Sequence, residues 1–142
     1  MQDDTVKLNE FFQYAIIKYI PDAFTTEFVN IGLIGVYENQ AYLILNLDMT
    51  RVNLFFDNSI SEQNFHYITN SLISMVKELN TGPIQSIDKI INQHMFMDET
   101  LKCENVGGGI IHNNFENEIM VLFDRLIIRY NSVKLDHYTI YR

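Results

Sequence analysis

Two residues near the start of this chain interrupt apolar stretches, and both could take part in chemistry. Lys18 lies in the first apolar run of the sequence, and Asn30 lies in the second. A charged or amide side chain on the face of a sheet needs a partner when it is buried. If the two runs are adjacent strands, their hairpin brings these residues together, either as a polar cluster that closes the turn or as a contact point for a ligand or protein. Asp22 and Glu27 flank the turn between the two runs. The candidate interaction residues are therefore Lys18, Asp22, Glu27 and Asn30.

Three consecutive glycines at 107–109 raise the question of a phosphate-binding loop. Such loops need a lysine followed by serine or threonine at a helix start, or spaced glycines between a strand and a helix. Here Ile110 and Ile111 follow the glycines directly. The pattern predicts instead a turn, or a strand that approaches another backbone closely, because glycine has no Cβ.

The histidines and the single cysteine do not form a ligand pattern. No two histidines are closer than 18 residues, whereas metal sites usually place ligands only a few residues apart. Cys103 has no second thiol to pair with, and we expect it to be partly buried and inert. We therefore expect no metal, no cofactor and no catalytic residue. A pairing of Cys103 with His94 or His112 would be the exception.

Composition limits the classes of function. The chain has 142 residues, of which 47% are hydrophobic and 20% charged, and its net charge is −8. We expect one globular domain over residues 1–142 in the reducing cytoplasm, with no membrane span and no secretion signal. A negative field repels phosphate backbones, so direct nucleic-acid binding is not expected.

The first 50 residues predict strands and the following segments predict helices. Apolar runs at 11–20, 28–37 and 41–49 are rich in β-branched and aromatic residues, which favours an antiparallel meander. Residues 105–112 are a weaker fourth candidate, and the tail around Ile140 could add a short strand. A capping box of Ser59 and Glu62 precedes one helical stripe, formed by Phe65, Ile68, Leu72, Val76 and Leu79.

Two more helices complete the predicted fold. A shorter one is expected over 84–97, and a capping box of Asn113 and Glu116 precedes the last. Its apolar stripe consists of Phe115, Ile119, Leu122, Leu126 and Tyr130. The predicted class is α+β: an antiparallel meander of three strands, with a possible fourth, and two long helices and one shorter helix packed on one face.

The first hairpin resembles the opening of a known family. Tyr14-x-x-x-Lys18-Tyr19-x-Pro21, followed by Glu27-Phe28-x-Asn30-x-Gly32, is similar to the signature of a bacterial domain-of-unknown-function family, number three thousand and thirty-seven in that series. The resemblance extends over about residues 12 to 130. It implies no established activity. It does imply a partner, because members are often encoded beside HipA-like serine/threonine kinases, the toxin class of some toxin–antitoxin systems.

Three hypotheses for function follow. We expect a non-catalytic protein-interaction module, an accessory, regulatory or antitoxin-like partner of a kinase-type toxin or another defence-related protein. The alternative is an enzyme that handles a small ligand or nucleotide with Lys18, Glu27 and Asn30. A weaker alternative is an acidic nucleic-acid mimic that inhibits a DNA- or RNA-binding protein. A homo-oligomer is compatible with all three, since uncovered strand edges can pair.

Overall fold

The structure is a computed structural model that describes residues 11–21, 27–49, 52–53, 62–84, 86–94, 100–112, 114–128 and 139–142. In chain order, its elements are β1 (Phe11–Tyr19), β2 (Val29–Tyr37), β3 (Gln40–Leu45), α1 (Glu62–Leu79), α2 (Ile87–His94), β4 (Leu101–Ile110), α3 (Phe115–Phe123), a π-helical turn (Asp124–Ile128) and β5 (Ile140–Tyr141). The predicted α+β class is confirmed.

The described strands form one antiparallel sheet in the order β4-β1-β2-β3-β5. The β1–β2–β3 meander is confirmed, the fourth strand begins at Leu101 rather than near residue 105, and the tail adds a two-residue strand. Glu38 and Asn39 both have positive φ, 50° and 61°. This is the conformation of a two-residue type I′ turn, whose twist matches that of the strands it joins and which sets the β2–β3 register.

Helices cover both faces of the sheet, so the prediction that all of them pack on one face is wrong. Successive side chains of a strand point to opposite faces. In β1, Ala15 and Ile17 share a core with α1 and α2, whereas Phe12 and Ile16 share a second core with α3. The physical reason is that β1 is apolar at both odd and even positions, and a strand of that kind must be covered on both sides.

The stripe predicted for α1 is confirmed, because Phe65, Ile68, Leu72 and Val76 are buried and Leu79 packs against the same core. In α2, Ile87 and Ile90 are the fully buried residues. The predicted helix over 84–97 is observed as Ile87–His94. Several sequence assignments lie outside the described residues, namely the caps Ser59 and Asn113 and the stripe residue Tyr130.

The stripe predicted for α3 is only half right. Its buried residues are Phe115, Ile119, Phe123 and Ile127, and Leu122 and Leu126 lie at the margin of the core. A π turn closes hydrogen bonds five residues apart instead of four. The turn at Asp124–Ile128 therefore allows Ile127 to pack against the sheet four residues after Phe123, just as Phe123 does four residues after Ile119. At the helix start the cap is Asn114 and not the predicted Asn113, since the Asn114 side chain accepts a hydrogen bond from the Asn117 amide at 2.8 Å.

Candidate functional site

Lys18 lies on the α3 face of the sheet and its charge is satisfied by near neighbours. Its Nζ is 3.3 Å from Oε1 of Glu104 on β4, and it lies 4.3 Å from the centre of the Phe28 ring. Only 12% of the side chain is exposed. Both contacts hold the Lys18 side chain in place between the Glu104 carboxylate and the Phe28 ring.

Asn30 is the strand partner of Lys18 in the β1–β2 ladder. Its Nδ2 donates to the carbonyl oxygen of Leu126 at 3.4 Å. Because Leu126 belongs to the π turn, this bond ties that turn to the sheet. The Oδ1 atom of Asn30 is buried and accepts no hydrogen bond from the described residues.

The structure brings together Lys18 and Asn30. Lys18 and Asn30 are adjacent, Glu27 is exposed just before β2, and Asp22 lies outside the described residues. Glu104 is the member of this polar cluster that sequence reasoning missed, since it is 86 residues from Lys18. We define the polar cluster as Lys18, Asn30 and Glu104. Its contacts join β1, β2, β4 and the π turn. Lys18 and Asn30 therefore interrupt their apolar runs for a structural reason.

A second feature, a groove of about 810 Å³, lies on the outer surface of α1 and α2. Tyr67 is 74% exposed beside it. The partly buried side chains of Met75 and Leu79 supply its apolar part. The lining also includes small and polar side chains: Asn70, Ser71, Ser74, Glu78, Thr81, Gly82 and Gln93.

The hydroxyl groups that line this α1–α2 groove can accept hydrogen bonds from a binding partner. The hydroxyl of Ser71 donates to the Tyr67 carbonyl at 2.9 Å, and the hydroxyl of Thr81 donates to the Glu78 carbonyl at 2.6 Å. Each hydroxyl has used its one proton and keeps its oxygen as an acceptor. Glu78 is the one charged residue among the described residues that line the groove. Such a surface complements lysine and arginine side chains.

Side-chain amides fix one end of the groove to the sheet. Asn80 accepts from the Ala41 amide at 2.7 Å and donates to the Ala41 carbonyl at 2.9 Å, as a neighbouring strand would. The Asn39 side chain accepts from the amide of Ile84 at 3.1 Å. These bonds tie the α1–α2 connection to the β2–β3 hairpin. A surface held in place loses less entropy when it binds a partner.

One known protein family matches most of this chain. The family described as "Protein of unknown function (DUF3037)" matches residues 14–127, from β1 into the π turn. The chain belongs to the DUF3037 family. This confirms the resemblance seen at the first hairpin. No curated protein and no solved structure matches the chain.

The residues that carry the DUF3037 resemblance have structural roles here. A Cβ on Gly32 would lie 2.5 Å from the carbonyl oxygen of Ile44, so a larger residue does not fit between β2 and β3. The Tyr14 ring occupies the space above Gly107. Together with Lys18 and Asn30, these residues set the packing of the sheet, and the motif alone does not identify a reaction.

The three glycines at 107–109 lie in β4, which confirms the strand that approaches another chain segment closely. A Cβ added to them would come within 2.6 to 2.7 Å of aromatic rings on β1, in order Tyr14, Phe11 and Phe12. The glycines therefore make room for these rings. Their backbone is extended, and it does not form the phosphate-binding loop that a glycine run could suggest.

Cys103 in this DUF3037 chain is partly buried, as expected, and packs against the α1/α2 core. Burial raises the pKa of its thiol from 9.0 to about 12, and the nearby charge of Glu104 adds to the shift. The thiolate is the reactive form of cysteine. At neutral pH this thiol stays protonated.

None of the helices within the described residues is both long and apolar enough to span a membrane.

Proposed function

We propose that this DUF3037 chain is a non-catalytic protein-interaction module and that the α1–α2 groove is its docking surface. The observation that carries the proposal is Tyr67, a large aromatic side chain left 74% exposed beside a groove with apolar and acceptor groups. Tyrosines that anchor interfaces are typically placed in this way, with an apolar contact surface and a polar rim.

The proposed occupant is a basic segment of a partner protein. Its lysine or arginine side chains would pair with Glu78 and donate to the hydroxyl oxygens of Ser71 and Thr81. An apolar side chain of the segment would contact Met75 and Leu79 beside Tyr67. The net charge of −8 supports this choice, because it would steer a basic surface toward the protein.

The proposed biological partner is a HipA-like kinase encoded beside the gene, which the family resemblance supports. The chain would act as an accessory or antitoxin-like protein that restrains the kinase by covering part of its surface. The proposed place of action is the cytoplasm, which the single cysteine supports.

The test is a calorimetric titration of the purified neighbouring kinase with the full chain. Truncating Tyr67 to alanine should weaken the affinity by about thirtyfold, since removing a central aromatic anchor costs about 2 kcal/mol. Glu78→Gln should weaken it less and should reduce its salt dependence. Glu62→Gln is the matched control: it makes the same change on α1, 16 residues away and outside the groove.

The outcomes separate the groove from the polar cluster. The proposal predicts that Glu62→Gln and Lys18→Met bind like the wild type while Tyr67→Ala does not. If Tyr67→Ala binds like the wild type, or if Lys18→Met loses binding while remaining folded, docking does not occur at the groove.

A further inference from the structure

Strand β4 is an edge of the sheet. It pairs with β1 along one side, and no described strand lies on its other side. A strand in this position presents unpaired backbone N–H and C=O groups, which can pair with another chain. In β4 the register shifts between Glu104 and Gly107. A bulge of this kind bends the strand, so the regular part of the free edge begins at Leu101 and ends near Glu104.

One backbone hydrogen bond shows which groups point outward. The Ile20 amide donates to the Thr100 carbonyl at 2.7 Å, so that carbonyl points toward β1. In an antiparallel ladder this direction alternates from residue to residue. Lys102 and Glu104 therefore direct their backbone groups toward β1. The N–H and C=O groups of Leu101 and Cys103 point to the free edge.

The side chains beside these groups carry opposite charges. Lys102 is 61% exposed and Glu104 is 39% exposed, and both lie on the α3 face of β4. The residue directly opposite Lys102 on β1 is Lys18, which has the same charge. Like charges in this position destabilise a strand pair. Lys102 therefore has no opposite charge across its ladder on the β1 side, and within its own chain its Nζ lies 4.0 Å from Oε2 of Glu104.

We propose that a second copy of this chain pairs with β4, antiparallel and centred on Cys103, to form a symmetric dimer. In this register Lys102 lies opposite Glu104 of the second copy, and the symmetry makes the same pair twice. The two Cys103 residues exchange backbone hydrogen bonds through their outward groups. Centring on Lys102 or on Glu104 instead would place like charges opposite each other.

This dimer goes beyond the proposed docking function and leaves it testable by itself. None of the residues that line the α1–α2 groove belongs to β4, so the two proposals rest on different residues. An absent dimer would not affect the kinase titration, and an absent kinase complex would not affect the dimer. The pairing would join two sheets across their β4 edges and would remove the exposed edge of each.

The test is sedimentation equilibrium of the full chain, which should show a reversible species of twice the 16.7 kDa chain mass. Lys102→Glu should weaken dimerisation by about tenfold or more, because each of the two cross-strand pairs becomes a like-charge pair. Glu104→Lys should do the same. An equimolar mixture of the two variants should restore the dimer, since every cross-strand pair is then attractive. Lys77→Glu on α1 is the matched control.

A second measurement uses only the wild-type protein, so its result does not depend on whether a variant folds. Wild-type protein labelled with ¹⁵N is mixed with unlabelled protein and treated with a carbodiimide, which joins a lysine to a carboxylate. The proposal predicts a Lys102–Glu104 crosslink that contains one labelled and one unlabelled peptide. A chain that stays monomeric at its highest soluble concentration overturns the proposal. So does a Lys102→Glu variant that dimerises like the wild type, or a Lys102–Glu104 crosslink found only within one chain.

Discussion

Replacing Lys18 by methionine tests whether the polar cluster is structural. Methionine keeps a long unbranched side chain and removes the charge. The change leaves Glu104 without its 3.3 Å partner, and it removes the ammonium group from above the Phe28 ring. The fold should therefore lose stability, and the loss should come from the ion pair and the cation–π contact.

The magnitude follows from the burial of the two partners. Lys18 is mostly buried, but Glu104 is 39% exposed and can be hydrated after the change. The ion pair is then worth about 1 kcal/mol, above a surface pair and well below a fully buried one. The cation–π contact adds about 1 kcal/mol, part of which the methionine sulfur recovers against the ring. We expect a loss of about 1.5 kcal/mol in the free energy of unfolding.

Urea denaturation followed by circular dichroism measures this loss, at a protein concentration low enough that the chain is monomeric. Lys102→Met is the matched control, because its Nζ is 4.0 Å from the same Glu104 and the side chain is 61% exposed. It should cost less than about 0.5 kcal/mol. A double-mutant cycle of Lys18→Met with Glu104→Gln should give a coupling energy of about 1 kcal/mol. Equal losses for the two lysines, or no coupling, would refute the structural role assigned to Lys18.

Two further predictions concern the fold. Gly32→Ala should cost about 3 kcal/mol, because its Cβ meets the Ile44 carbonyl at 2.5 Å. Gly35→Ala has its nearest contact at 3.4 Å and should change stability by less than about 1 kcal/mol. Thermal melts of both variants check this, and equal losses of stability would contradict it. The raised pKa of Cys103 keeps the folded thiol protonated while the unfolded thiol ionises above 9.0. Stability should fall as the pH rises from 9 toward 12, and by pH 10.5 the wild type should lose about 2 kcal/mol more than Cys103→Ala in urea titrations.

The sequence was sufficient for the elements whose pattern is local. The α1 stripe from Phe65 to Val76 follows a regular three- and four-residue spacing, and the polar turn at Glu38 and Asn39 lies between two apolar runs. The placement of α3 was not local. It depends on which face of the sheet is already covered, and the signal was the apolar character of both faces of β1, including Phe12 and Ile16. The π turn shifts the buried positions of α3 to Phe123 and Ile127, and no spacing rule shows this in advance.

The candidate site was predicted only in part for the same reason. Lys18 and Asn30 are close because they lie on one hairpin, and the hairpin could be predicted from the sequence. Glu104 reaches them through β4, whose register includes a bulge. The α1–α2 groove depends on how two helices and a loop pack together, although Tyr67 opposite the apolar stripe of α1 was an available sign. The enzyme and nucleic-acid-mimic hypotheses stay predictions.

Hydrogen–deuterium exchange of the chain mixed with the proposed HipA-like kinase partner tests the groove most directly. Docking at the groove predicts slower exchange on binding in α1 from Tyr67 onward and in the connection to α2, around Glu78 and Thr81. Exchange in β1 and β2 near Lys18 and Asn30 should not change. Protection confined to the strands around the polar cluster, with exchange in α1 and α2 unchanged, would show that docking does not occur at the groove.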